Sequence, residues 1–580
     1  MIINKLLTAT IFFGIILCAD PVKTNPFDAL EVQTKLRKED NNTAIFQKLK
    51  TELKSKRATL KDISHKKFLR RFYRQNSYNP LWFTESGFDK KRVRSLFEEL
   101  ESDITLDKKG KVYKQYQILV SYLGGDKRRP LRTELQLTAL YIDFLNHTLY
   151  GDINWKSFSW KLSSMRKRGV SARWLRYKPD ESLSELLLAS SIEETIENIT
   201  PKRFGYMGLL KSLIILQGIK EEGGWKELPY FKKLELEDKG LTVLKLRERL
   251  EASHDLTACS IHSQKLFEKD SDTEDKPNVQ IQPRANFDIC LEDAVKKFQK
   301  RHGLEADGIV GSGTRGALNR TVESKIETVL LNLNRIKWLP KNEDKRYLVA
   351  NIPEYMLHYI EDGYEKKKLR IIVGDRKHHT PIFKDKISYV VLNPYWKVPS
   401  GIVRREIIPA MIRNPNYLKR QGLEIHTTWY ERSPRVNPYN IFWEQYRYGM
   451  EKFPYRIMQP PGPKNALGKI KFKFPNRFDV YLHDTPSRRL FKRTHRAFSH
   501  GCVRLDQPQS LLETVASFNP SININKSKKI LKGKRKVQLN IHNKLPIYIV
   551  YLTAGFDEET GELQFRNDVY QYDKMQKRVK

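Results

Sequence analysis

The chain has 580 residues, 39% hydrophobic and 11% aromatic, which excludes a single core and leaves room for about three or four modest ones. Its 106 Lys+Arg against 68 Asp+Glu give a formal charge of +38. Such an excess favours anionic partners, whether nucleic acid, acidic lipid headgroups or a carboxylate-rich polymer, without choosing between them.

The first residues, "MIINKLLTATIFFGIILCAD", place one lysine, Lys5, before an apolar run from Leu6 to Leu17 and small or polar residues at Cys18, Ala19 and Asp20. This is the layout of a secretory signal (1–19), cleaved after Ala19, with an apolar run short for a membrane span. A lipid-modified Cys18 is disfavoured by the bulk of Leu17, and an uncleaved membrane anchor is the alternative. Export makes nucleic acid a poor partner. Residues 20–65 are polar and Lys/Glu-rich and read as a linker with helical tendency. From 66 to 235 apolar residues recur at helical spacing, as in "LRTELQLTALYIDFLNHTLYGDINW" (131–155), which predicts a helical domain with no catalytic pattern. Its His147 reads as a packed or capping residue.

Residues 240–320 predict a smaller helical unit. "LTVLKLRERLEA" (241–252) and "CLEDAVKKFQKRHGL" (290–304) are helices, the second stopping at Gly303, and "EKDSDTEDKPNVQIQPRAN" (268–286) is a polar loop between them. Setting Cys18 aside, Cys259, Cys290 and Cys502 are an odd number in an oxidising compartment. The expected pair is Cys259 with Cys290, a loop worth roughly 3–4 kcal/mol by chain entropy, which leaves Cys502 as a free thiol.

After 343 the texture changes to short runs bounded by Gly, Pro, Asn and Asp, among them "KLRIIVGD", "ISYVVLNPYWKVP", "GKIKFKFP" and "RFDVYLHD". They predict a β-rich domain over 343–520, inside which the long, basic, aromatic stretch 401–460 reads as a substrate-covering lid. Residues 521–580 are expected to form an extension packing on the helical scaffold; its "NKSKKILKGKRK" (525–536) reads as solvated surface. No repeat of fixed period is present. The architecture expected is multidomain α+β.

Chemistry concentrates in "HDTPSRRLFKRTHRAFSHGCVRL" (483–505). A thiol nucleophile needs a base, donors for the oxyanion it creates, and access. His483 closes a predicted strand and Gly501 lets the chain turn tightly before Cys502. The four arginines and one lysine between them favour a thiolate. Two other readings of the pattern stay open. Zinc could use His483, His495, His500 and Cys502 at irregular spacing, or Cys502 is a small buried residue with incidental histidines. His495 reads as solvated.

The order His483, then Ser499-His500-Gly501-Cys502-Val503-Arg504, resembles the signature of the L,D-transpeptidases, cysteine enzymes that cross-link bacterial peptidoglycan. "LNLNRIKWLP" (331–340), "NPYWKVP" (393–399), "PGPKNALGKIKF" (461–472) and "LHDTP" (482–486) are similar to the large periplasmic subgroup. "FQKRHGLEADGIVGSGTRGAL" (298–318) is similar to small peptidoglycan-binding domains. The resemblance implies a helical scaffold domain, a peptidoglycan-binding domain and a catalytic domain with a lid. It implies Cys502 as nucleophile, His483 as base, and a backbone carbonyl near Asp484 orienting the imidazole. His500 would shape the pocket, and the N–H groups of Gly501 and Cys502 would form the oxyanion site. Arg504 would hold a substrate carboxylate or make a structural ion pair, and Tyr481, Trp396 and Asn465 would be wall residues or packing. It further implies a periplasmic enzyme of cell-wall biogenesis and cell shape, without metal or cofactor. Its partners would be stem peptides, a donor tetrapeptide and an acceptor amine, and other cell-wall enzymes. The competing functions are an L,D-carboxypeptidase, a ligase of lipoprotein to peptidoglycan, and a non-catalytic peptidoglycan-binding scaffold.

Overall fold

The computed structural model describes residues 42–54, 62–123, 129–256, 283–340, 344–448 and 451–578. The predicted leader, most of the linker, Cys18, Cys259 and nearly all of the polar 268–286 loop lie outside these. The chain divides into two units, residues 1–149 with 180–200, and residues 150–179 with 201–580.

The first unit is helical, as the spacing predicts. Its main helices are Lys66–Gln75, Lys90–Ser102, Lys111–Leu123, Ile192–Ile199 and the long Pro130–Tyr150, whose last residue opens the second unit. One face of the long helix carries Glu134, fully buried, which accepts hydrogen bonds from the Tyr73 hydroxyl at 2.6 Å and the N–H groups of Leu81 and Trp82 at 2.6 and 3.1 Å. Burial still pushes this carboxyl up to about 7. His147 is buried against Asp103 at 3.2 Å and the Thr105 hydroxyl at 3.0 Å, a packed residue.

The described residues of the second unit include three cores. The small helical one gathers Val243, Leu246, Leu250, Leu291, Val295, Phe298, Val310 and Leu318. Its helix Ile289–Arg301 is capped by the Asp288 carboxylate, which accepts from the N–H of Leu291 at 2.8 Å, and is followed by Gly303 at φ 65°. Cys290 is disulfide-bonded, its partner falling outside the described residues, and Cys502 is free.

The largest core belongs to a nine-stranded sheet. Its strands in chain order are β1 (Arg346–Asn351), β2 (Met356–Glu361), β3 (Tyr364–Gly374), β4 (Phe383–Leu392), β5 (Ile470–Lys473), β6 (Leu482–His483), β7 (Ala497–Ser499), β8 (Val503–Leu505) and β9 (Val537–Val550). In space the order is β7-β3-β8-β6-β5-β4-β9-β1-β2, and a further pairing of β2 with β3 closes the sheet on itself. Alternate residues face inward, so Ile470, Phe472, Leu482, Val503 and Leu505 are all buried in the core. Each such side chain is worth roughly 1.5–3 kcal/mol of burial, which is why this register resists slippage.

Two expectations change here. Residues 521–580 are no mere extension on the scaffold, because β9 is an interior strand between β4 and β1. The predicted scaffold boundary at 235 also shifts. Helix Trp155–Lys167 and Trp174 pack into the sheet's core with Trp338, Tyr551 and Tyr572, and Trp174 bridges Ile382. Amphipathic helices look alike whichever core receives them, so periodicity could not assign these residues.

The stretch read as a lid is a folded module with its own core of Val398, Ile407, Ile408, Met411, Leu418, Ile425, Trp443 and Ile457. A small sheet orders Trp396–Lys397, Arg456–Gln459, Glu424–His426 and Arg435–Val436. Strands of two to four residues and broken helical turns are too short to show a period, which hid the module in the sequence.

Candidate active site

The pairing of three strands builds the site. Leu482 sits beside Val503 in a parallel pair, and His483 beside Arg504; on the other side of β6, Lys471 of β5 lies opposite His483. Leu482 and Val503 point into the core, so by the two-residue period Lys471, His483 and Arg504 form a row on the opposite face. Tyr481 and Cys502, each two residues earlier, share that face, and the N–H of Val503 donates to the Tyr481 carbonyl at 3.1 Å. By register Cys502 is therefore beside Tyr481 and diagonal to His483, and its thiol lies 3.9 Å from the Asp479 carbonyl oxygen.

The turn before Cys502 is held from three sides. Gly501 adopts φ 108°, a conformation that disfavours any side chain. Its carbonyl accepts from the Thr380 hydroxyl at 3.0 Å, and its N–H donates to Ser499 Oγ at 3.1 Å. The same Ser499 hydroxyl donates to the Cys502 carbonyl at 2.5 Å. This corrects one expectation: the Gly501 N–H is spent inside the turn. The N–H of Cys502, which makes no hydrogen bond among the described residues, remains for an oxyanion.

His483 is buried, and its Nδ1 lies 2.6 Å from the carbonyl oxygen of Asp484. A carbonyl only accepts, so Nδ1 carries the proton. Burial, then the Arg504 and Lys471 cations, lower the imidazole to about 3 against the raising effect of that carbonyl. The ring is thus neutral near pH 7, with a lone pair on Nε2. The Asp484 carboxylate accepts from the N–H groups of Lys469 at 2.8 Å and Thr485 at 2.7 Å and pairs with Arg488 at 2.6 Å, which pins the turn after the histidine.

Burial pushes the half-buried Cys502 thiol up; the Tyr481 N–H, Lys471 and the Tyr481 hydroxyl oppose this, and Asp479 adds to it. The resting pair is therefore thiol and imidazole rather than thiolate and imidazolium. Such a pair forms the thiolate only as the proton moves to Nε2, which is general-base activation.

The remaining predicted residues divide. Arg504 is half-buried and makes no hydrogen bond or ion pair among the described residues, so the structural ion-pair reading fails. Tyr481 is buried, its ring edge-on to His483 and 3.7 Å beneath the Lys471 ammonium. Asn465 is no wall residue: it is buried, and its amide donates to the carbonyls of Pro394, Gln459 and Pro460 at 3.0 Å each. Trp396 packs at the edge of the inserted module's core.

His500 does not line the pocket as a buried residue; it is exposed and bonds Glu406 of the inserted module at 2.7 Å. Glu406 lies on a π-helical turn, Val403–Ile407, which joins the module to the loop that carries Cys502. His495 is bound to the Tyr355 hydroxyl at 2.9 Å, so the histidines of the zinc reading have separate partners. Among the described residues no cluster of three or more His, Cys, Asp or Glu is arranged to hold a metal ion.

Residues 345–537 match the family model described as the L,D-transpeptidase catalytic domain. The matched residues take in the strands that carry His483 and Arg504. Residues 67–213 match a model described as a scaffold domain, and residues 276–318 one described as "Putative peptidoglycan binding domain". A Haemophilus influenzae protein named "Putative L,D-transpeptidase" is 34% identical over 256 residues, 43% of this chain and 49% of that one. The chain thus spans about half the length of that relative. Solved L,D-transpeptidases from Xylanimonas cellulosilytica and Stackebrandtia nassauensis are similar at 14% and 13% identity, each over 56% of this chain. The matches cover 100% and 96% of those chains at TM-scores of 0.16 and 0.20. The matched segment stops where β9 begins, although that strand completes the sheet.

Lys471 escaped the sequence reading. The signal was present in "IKFK", where Lys471 and Lys473 alternate with buried Ile470 and Phe472, but its place beside His483 depends on strand order.

Proposed function

We propose that this protein is an exported peptidoglycan L,D-transpeptidase that forms 3→3 cross-links through a thioester on Cys502. One observation carries the reading: a neutral imidazole, its tautomer set by the Asp484 carbonyl, shares a sheet face with a free thiol. His483 Nε2 takes the proton of Cys502 as sulfur attacks the carbonyl of the third stem residue, and the Cys502 N–H steadies the oxyanion. The bond to the terminal D-Ala breaks, and its amine leaves with the proton from His483. A side-chain amine of a second stem then gives up a proton to His483 and attacks the thioester, releasing Cys502. The energy of the cleaved peptide bond is conserved in the thioester, so no nucleotide is consumed. The domain matched by residues 276–318 would keep the enzyme on its polymer, in the periplasm.

The test is incubation of purified protein with disaccharide-tetrapeptide, followed by mass spectrometry. The reading expects 3→3 dimers and an acylated Cys502. Tripeptide alone would make the enzyme a carboxypeptidase, and dimers from Cys502→Ala would remove the nucleophile.

A further inference from the structure

We infer that the exposed cations of residues 526–535 form a docking surface for a membrane leaflet rich in anionic phospholipid. This is independent of the acyl-transfer reading, and it gives a role to a run that the sequence alone reads as solvated surface.

Between Glu513 and Asp557 the chain holds no acidic residue, and six lysines and one arginine stand within 526–536. Helix Ile524–Lys532 buries Ser527 and Leu531, so Lys526, Lys529 and Lys532 stand on the opposite face. Lys534 and Arg535 follow in the loop, and all five are exposed. Lys528 is paired with Glu513 at 2.8 Å and Lys536 with Glu431; the other five cations make no ion pair among the described residues.

This arrangement does little for the helix itself. Lys526 lies in the first turn, where exposed N–H groups favour an acid, and no acid is there. Lys526 with Lys529, and Lys529 with Lys532, are like charges three residues apart, which repel. Only Lys529 and Lys532, in the last turn, complement the helix dipole. The backbone that carries the cations is nevertheless fixed. Leu531 belongs to the sheet's core, and the Asn393 amide donates to the carbonyls of Ile530 at 2.8 Å and Arg535 at 3.1 Å. The Lys469 ammonium donates to the Leu531 carbonyl at 2.9 Å, while its own N–H holds the Asp484 carboxylate. One residue therefore braces both this platform and the turn after His483.

A rigid set of cations without counter-charge is complementary to an anionic surface. Lys526 and Lys532 are about 9 Å apart along the helix, close to one Debye length at physiological salt, so they act on such a surface together. Phosphate in a lipid layer suits them better than a glycan or a stem peptide. Four of the five are lysines, point charges without the fork that grips a carboxylate. No aromatic ring stands within 524–536 to stack on a sugar. No large apolar side chain is exposed there to insert into the layer, so the attachment is electrostatic, reversible and sensitive to salt.

The experiment is cosedimentation of the full chain with vesicles of phosphatidylcholine, alone or with about 30% phosphatidylglycerol, at about 50 and about 500 mM salt. The apolar run from Leu6 to Leu17 would favour both vesicles alike, so the ratio between them reads the cations. Wild type should prefer the anionic vesicles at least about 100-fold at low salt and lose most of that preference at high salt. Replacing Lys526, Lys529 and Lys532 together by Gln should weaken anionic-vesicle binding about 100-fold, each cation near such a surface being worth roughly fivefold. A control chain with Lys67→Gln, Lys108→Gln and Lys109→Gln, three exposed lysines of the other unit, should stay within about twofold of wild type. Equal binding of wild type to both vesicles overturns the surface. So does an equal loss in the control chain, or undiminished binding by the first variant with thermal unfolding as in wild type. Retention on isolated peptidoglycan sacculi that exceeds anionic-vesicle binding and is lost in the first variant assigns the cations to the wall polymer and overturns the lipid surface.

Discussion

Arg335 and Arg504 are both arginines withdrawn from bulk water, yet only one has partners. Arg335, 1% exposed, pairs with Asp573 at 2.7 Å and donates to Gln576 Oε1 at 2.6 Å and the Thr553 hydroxyl at 3.1 Å. It ties helix Val322–Lys337 to the C-terminal helix Tyr572–Lys577. Arg504 and its neighbour Lys471 share a sheet face with Cys502, and neither has an ion pair among the described residues. A buried cation that has been satisfied holds the fold together; one without a partner makes no such tie.

The contrast breaks most visibly through activity. Cys502→Ala should remove acyl transfer entirely, a loss of at least about 10³-fold, with unfolding within about 1 kcal/mol of wild type; retained turnover would dissolve the functional half of the comparison. Next in size is the structural half. Arg335→Met removes the cation from Asp573, leaving that carboxylate with the Thr553 hydroxyl, and should cost about 3–5 kcal/mol in denaturant unfolding, with kcat/KM per folded molecule near wild type. Arg504→Met should sharpen the difference. With no partner to orphan, it should cost less than about 1 kcal/mol, or stabilise, and equal costs for the two arginines would end the argument.

The pH dependence gives a smaller, graded test. His483 is lowered in the folded protein from 6.5 to about 3. Between those values the unfolded chain binds a proton that the folded one does not, so stability falls as pH drops through this window. The decline contributed by this group is up to roughly 1.4 kcal/mol per pH unit, and His483→Gln should lack that share in urea titrations across the range. The acid limb of kcat/KM should correspondingly lie near 3 rather than 6.5. The smallest effect concerns Lys471, lowered to about 8 by burial, then Lys473 and Lys397, with Cys502 and Asp479 opposing. Between about 8 and 10.5 the unfolded chain holds a proton that the folded one lacks, so stability rises with pH through this window, and Lys471→Met should lack that share in urea titrations.

The proposed nucleophile and base could be named from the sequence because uncommon residues coincide in order over a short span. So was the general architecture, since helical and strand periods differ and the β-rich texture begins near residue 343. Gly501 was readable as a turn residue, but not that its N–H is consumed by Ser499, because that bond depends on the turn's final shape. Asn465, left open in its motif between wall and packing, proved to be a brace for three carbonyls.

By itself, then, the sequence determined the chemistry available: one free thiol, one histidine ahead of it, and a glycine to turn the chain between Ser499 and Cys502. These follow from residue type and local backbone preference, which act over a few positions. Only the tertiary structure decided which charges surround them. Strand order set Lys471 and Arg504 on either side of His483, β9 became interior to the sheet, and Arg335 met Asp573 across more than two hundred residues. Electrostatic and packing energies depend on distance in space, and no spacing along the chain encodes that distance.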